Sequence, residues 1–264
     1  MQYSQLKQVC LKPDEAEKPF YARTVTHSLS VGVVWLLQTF SLTPNQFSCF
    51  ALFLAILSFP FFVFFTPLSI LLGALSIEGY YVFDAVDGQW ARFKNQKSLT
   101  GAFLDYLSNY AIHPPLIFAI AWGSYSVHEN PLILLFGFLG GISCLWIILI
   151  WNLRASILLD YLKSKQQSPA PSKYGKSQNE NENLSPVKKL FSFLHKTFIF
   201  PWFMNILTIL SLISFILKTP DLLTLFVIYL GTIGPLMAIA ITTHWILTRK
   251  LDHAPELLNN RISS

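Results

Sequence analysis

Residues 47–65 run from Phe47 to Phe65 without one charged side chain. Nothing else in the chain constrains its fold as strongly. At a rise of about 1.5 Å per residue, an apolar helix of that length crosses the hydrocarbon of a bilayer. Lipid supplies no partner for backbone N–H and C=O groups, so such a segment must satisfy them internally, as a helix does. Further apolar stretches follow at 70–92, 101–125, 131–160, 198–217 and 222–248, which predicts six spans. The chain is 53% hydrophobic and only 12% charged, against about 25% charged in a soluble domain. The expected fold class is an all-α integral membrane protein with six transmembrane helices.

Residues 22–40 read differently. Val25, Leu29, Val33, Leu36, Leu37 and Phe40 fall on one helical face, while Thr24, Thr26, His27, Ser28 and Ser30 interrupt the run. That pattern predicts an interfacial amphipathic helix ahead of the spans rather than a seventh crossing. Thr43-Pro44-Asn45 reads as a turn before the first span, and Thr66-Pro67 as its end. Residues 163–186 are polar, with Pro169, Pro171 and alternating Asn and Glu, and have no apolar period. The expected organisation is a cytoplasmic N-terminus and juxtamembrane helix over 1–45, a six-helix catalytic domain over 46–250 with a cytoplasmic polar loop at 163–197, and a cytoplasmic tail at 251–264.

Charge sets the expected orientation. With both termini cytoplasmic and six spans, every lysine and arginine except Lys218 falls on the cytoplasmic side, as the positive-inside rule requires. The net charge of +5 is therefore a topology signal, and no nucleic-acid partner is expected. Cys10, Cys49 and Cys144 have no metal-ligand spacing and imply no disulfide framework. The opening twenty residues carry charges and no apolar run, so no cleavable signal peptide is expected.

Against this background the stretch Asp84-Ala-Val-Asp87-Gly88-Gln-Trp-Ala91-Arg92 stands out, followed after eight residues by Gly101-Ala-Phe-Leu-Asp105-Tyr-Leu-Ser-Asn109. A charged side chain at membrane depth costs about 2.5–3.5 kcal/mol on insertion scales, so it is seldom there without a function. Asp84 and Asp87 share a helical face, and Asp105, Asn109 and His113 repeat every four residues on the next helix. A short loop makes the two helices antiparallel, and the acids then pair by depth across one hairpin. Carboxylates held close repel unless a cation lies between them, and hard oxygen ligands select Mg²⁺, Mn²⁺ or Ca²⁺. Gly88, Ala91 and Gly101 remove bulk beside the acids, and Arg92 offers a fork of donors suited to phosphate. A dication just below the interface can meet a soluble nucleotide and a lipid together, which favours phosphoryl-group transfer.

The pattern D-x2-D-G-x2-A-R-x8-G-x3-D resembles the signature of the CDP-alcohol phosphotransferases, matched by Asp84, Asp87, Gly88, Ala91, Arg92, Gly101 and Asp105. The resemblance implies transfer of a substituted phosphate from a CDP-linked donor to an alcohol, one of them lipid, with release of CMP. It further implies one or two Mg²⁺ or Mn²⁺ ions on the aspartates, a nucleotide site shaped by Gly88, Ala91, Arg92 and Gly101, and a homodimer. The chain departs from the signature at its last acid, the family's expected general base, where Asn109 stands. An amide accepts no proton at neutral pH. Either His113 takes the role, an imidazole having a suitable pKa, or the acceptor needs only a weaker base, or catalysis is lost. Arg154, in the fourth span, reads either as a ligand for substrate phosphate or as the partner of an acidic side chain or the interface. His113-Pro114-Pro115 is expected to kink the third span.

Overall fold

The computed structural model describes residues 2–11, 26–165, 191, 194–195, 197–198 and 202–248. Among the described residues the chain is all-helical. Its helices are α1 (Tyr3–Cys10), α2 (His27–Leu37), α3 (Pro44–Phe64), α4 (Pro67–Phe93), α5 (Leu99–His128), α6 (Leu132–Lys165), α7 (Trp202–Leu217) and α8 (Asp221–Thr248). Most of the polar stretch 163–197, the tail 251–264 and Val25 lie outside the described residues.

The turns that separate the helices are written in local chemistry. Pro44 and Pro67 each occupy the first turn of a helix, where the missing N–H costs nothing and the fixed φ is already helical. The Thr43 N–H donates to Gln46 Oε1 at 2.9 Å, and the Ser69 N–H donates to Thr66 Oγ1 at 3.2 Å. Thr66-Pro67 thus does more than end α3: it starts α4, with Phe65 in the left-handed region at φ 50° as the only pivot between them. At the head of α5, Ser98 Oγ accepts the Gly101 N–H at 3.0 Å. α5 stays helical through Pro114 and Pro115.

Among the described residues four segments are long and apolar enough to cross a membrane: Pro44–Phe64, Pro67–Phe93, Leu132–Ile150 and Asp221–Leu247. α7 is apolar but only 16 residues long, and α5 mixes Asp105, His113 and two prolines into its 30 residues. Phe53, Ile56, Phe64, Leu75, Phe138, Leu236 and Ile239 all face outward, each more than half exposed. An apolar belt of that extent is the surface of a protein solvated by lipid tails. The chain is a multi-pass membrane protein.

Two apolar clusters organise the interior. The larger runs along α3, α4 and α5 into α7 and α8, and on α4 it ends at Tyr80. The smaller joins Leu6 and Cys10 of α1, Val31 and Val34 of α2, Phe47, Val86 and Trp90. Phe83 packs against both clusters, and Asp84 follows it, at the seam where the two meet along α4.

α2 packs on the motif end of α4, and its faces are arranged in an instructive way. Leu29, Leu36 and Phe40 point outward, while His27, Ser30, Val31 and Val34 are buried. Polar residues that break the apolar run are among those meeting the protein: Gln89 Nε2 donates to Ser30 Oγ at 2.7 Å. Lys94 Nζ donates to the Gln38 carbonyl at 3.1 Å, at the C-terminal end of α2, where a cation offsets the helix dipole.

Candidate active site

Two consecutive carboxylates come from α4 because a three-residue step keeps them within one turn of each other on the same side. Asp105 arrives on α5, about two turns beyond the Ser98 cap. Asp84, Asp87 and Asp105 line one cleft, together with Ser48, Tyr80 and Ser108. Its remaining walls are Ala51, Leu52 and Leu104. Asp84 and Asp87 are half-buried and Asp105 is exposed. The free volume of about 10 Å³ holds roughly one water-sized sphere.

Ser48 is the residue that sequence reasoning missed. Its Oγ donates to Asp87 Oδ2 at 2.5 Å, so α3 supplies a direct hold on an α4 carboxylate. A hydrogen bond to a charged group contributes about 1.5–3 kcal/mol. The only signal for it lies in the spacing Thr43-Pro44-x3-Ser48, which sets the hydroxyl one turn into α3. Tyr80, fully buried, donates its hydroxyl to Ser108 Oγ at 3.4 Å and closes the floor of the cleft.

The remaining motif positions follow α4 outward. A methyl added at Gly88 would meet only Arg92 Nη1, at 3.5 Å, an ordinary contact. Among the described residues no packing demand explains the glycine, which leaves room beside it. At Gly101 the added carbon would come within 3.2 Å of Ser98 Oγ, the group that caps α5. Ala91 is half-buried on α4. Arg92 Nε donates to the Cys10 carbonyl at 2.6 Å, a contact with α1 that spacing along α4 could not foreshadow.

His113 is not on the cleft. It is 1% exposed and its ring lies 5.6 Å from that of Phe203 on α7. Each four-residue step overshoots a full turn by about 40°, so two steps from Asp105 carry a side chain about 80° round the helix. Asn109 and Arg154 are placed by their backbone on α5 and α6, and their side chains lie outside what the structure describes. Next to Asn109, the Tyr110 hydroxyl accepts from Asn152 Nδ2 and ties α5 to α6.

The donor chemistry of the cleft suits a small hard dication, and so does its volume. The three carboxylates line one cleft, yet among the described residues no group of three His, Cys, Asp or Glu side chains is close enough to hold an ion.

The family model for CDP-alcohol phosphatidyltransferase matches residues 41–247, which takes in α3 to α7 and nearly all of α8. The chain belongs to the CDP-alcohol phosphatidyltransferase family. Its members are transferases of phospholipid synthesis that use CDP-linked donors and alcohol acceptors, often lipid, and generally divalent metals. Comparison with curated proteins produced no match. α1 and α2 precede the residues that define this phosphatidyltransferase match.

Proposed function

We propose that the chain moves a substituted phosphate from a CDP-linked donor, CDP-diacylglycerol or another CDP-alcohol, to an alcohol and releases CMP. The observation that carries this reading is the shared cleft of Asp84, Asp87 and Asp105, three carboxylates from two helices at the spacing of the family's signature. In this reading they hold Mg²⁺ or Mn²⁺. The ion, when bound, neutralises the charge that gathers on the transferring phosphate. Ser48 fixes the Asp87 carboxylate. Gly88, Ala91 and Gly101 leave space for the nucleotide, Arg92 meets its phosphates, and Arg154 meets phosphate on the lipid side. The acceptor oxygen bonds to the donor phosphorus distal to cytidine, the phosphoanhydride P–O bond breaks, and CMP leaves.

The acceptor's proton is the open step. Asn109 stands where a carboxylate base is expected, and His113 is the alternative base one turn further on. The burial of His113 against Phe203 means that a proton reaches it only through an intervening group. Asn109 also supports a second reading: a family member that binds nucleotide and lipid, alone or as a partner subunit, without turning over.

Several further assignments belong with the proposal: six spans, α2 lying in the interface on Leu29, Leu36 and Phe40, both termini cytoplasmic, residues 46–250 as the catalytic domain and a homodimeric assembly. The distribution of basic residues supports the orientation.

The test is CMP release in nanodiscs, with Mg²⁺ or Mn²⁺ and a panel of CDP-donors and alcohols. Turnover supports the transferase. CDP and metal binding without CMP release supports the second reading. A gain of turnover in Asn109→Asp marks the amide as a lesion, and unchanged turnover in His113→Ala removes that histidine from the proton path.

A further inference from the structure

α1 is anchored with unusual completeness for an eight-residue helix. Leu6 and Cys10, one turn apart, are both fully buried, packed in the cluster that includes Val31, Val34, Val86 and Trp90. Its last residue, Cys10, presents a backbone carbonyl, one of the acceptors that a helix end leaves without an intrahelical donor and that carries the negative end of the helix dipole. The Arg92 Nε donates to that carbonyl at 2.6 Å. The terminal nitrogen Nη1 meanwhile lies over Gly88, 3.5 Å from where a side chain would begin. One edge of the guanidinium is thus held by α1, and Nη1 lies beside the glycine that follows Asp87.

We propose that α1 is a positioning element: it sets the rotamer of Arg92 so that the guanidinium presents its Nη edge to the diphosphate of a nucleotide seated over Gly88. The helix touches no substrate in this arrangement and acts only through the arginine. It makes the chain's own N-terminus part of the donor site, although it lies outside the residues of the family match. The proposal rests on Arg92 meeting nucleotide phosphate. An arginine side chain left free samples many rotamers, and fixing it in advance lowers the entropy lost on binding. A backbone carbonyl suits this task because no side-chain substitution at Cys10 removes it; only unseating the helix does.

The experiment compares the full-length protein, a deletion of residues 2–11, Leu6→Glu, Arg92→Ala and the deletion combined with Arg92→Ala, all in nanodiscs. The first readout is CDP binding in Mg²⁺, and the second, where turnover is present, is KM for the CDP-donor against kcat. Deletion and Leu6→Glu are expected to weaken CDP about tenfold, the loss of roughly one charge-assisted hydrogen bond. KM should rise while kcat stays within about twofold, as for uniform loss of binding. The deletion should cost nothing further in the Arg92→Ala background, since the helix acts through that side chain. Losses that simply add in the double variant would overturn the proposal, as would unchanged CDP affinity in a folded deletion protein. Tighter CDP binding after deletion would overturn it too, by making α1 a restraint that withholds Arg92. If Arg92→Ala itself binds CDP normally, the placement of nucleotide at Arg92 fails and α1's role falls with it. If only the α1 variants bind normally, that placement stands.

Discussion

The motif end of α4 and the α5–α6–α8 region are held together in different ways. Around the first, helices are joined by side chains that reach: Ser48 to Asp87, Gln89 to Ser30, Arg92 to the Cys10 carbonyl and Lys94 to the Gln38 carbonyl. Around the second, polar ties such as Ser124 to Thr224, Trp146 to Thr242 and Asn152 to Tyr110 are accompanied by close contacts where side chains are missing. A methyl at Gly137 would lie 2.3 Å from Ala121 Cβ, one at Gly140 3.0 Å from Leu230 Cβ, and one at Gly231 2.4 Å from the Phe136 carbonyl. Lipid tails are as apolar as leucine, so burying leucine between helices gains little, and close backbone approach through small residues is the available alternative. Both regions have polar ties, but the tightest glycine contacts in the comparison belong to the α5–α6–α8 region. Gly88 is not one of them, since none of the described residues crowds it.

The sharpest way to break this contrast is at the carboxylates. Asp87→Asn and Asp105→Asn should each lower CMP release more than about 100-fold, beyond what loss of an outer-shell partner costs, while thermal unfolding in detergent stays near that of the parent. A large fall in melting temperature for both would mean that the acids hold the seam together rather than serve a ligand.

Gly231→Val should do the reverse. Over-packing against the Phe136 backbone costs about 3 kcal/mol, the upper end for such substitutions, and appears as lost folded yield and a lower melting temperature. Turnover per folded molecule should change little. If Gly231→Val folds normally but stops turning over, the α6–α8 contact itself shapes the site and the division between the regions dissolves.

A smaller effect is expected for Ser48→Ala. It removes the donor on Asp87 and should reduce turnover about 10–100-fold, the range for a residue that orients a metal-binding carboxylate, with Mg²⁺ half-saturation shifted upward. Ser48→Thr keeps the hydroxyl and should restore most of it. Equal losses in both would assign the defect to packing beside Ala51.

Much of this molecule was legible before any coordinates. Uncharged runs placed the ends of the long apolar helices to within a few residues, but the Thr-Pro steps, read as a turn and an end, prove to start α3 and α4, and α1 was not foreseen. Asp84, Asp87 and Asp105 could be assigned to one hairpin from spacing alone, and they line one cleft. The same arithmetic failed to carry His113 to that cleft, since a four-residue repeat drifts steadily round the helix and ends facing Phe203. For α2 the sequence marked Ser30 as a break in an apolar run but not what it meets: its hydroxyl accepts from Gln89 Nε2.

What the chain determined by itself is periodic or local: which segments can live in lipid, where they start, and which side chains share a face. What only the tertiary structure decided is which neighbour each face meets, hence the Ser48 hydroxyl on Asp87 and the Cys10 carbonyl on Arg92. The reason is geometric. A helix repeats with a fixed angle, but its rotation and partners are set by packing among residues far apart in sequence, 39 positions for the serine and aspartate and 82 for the arginine and cysteine.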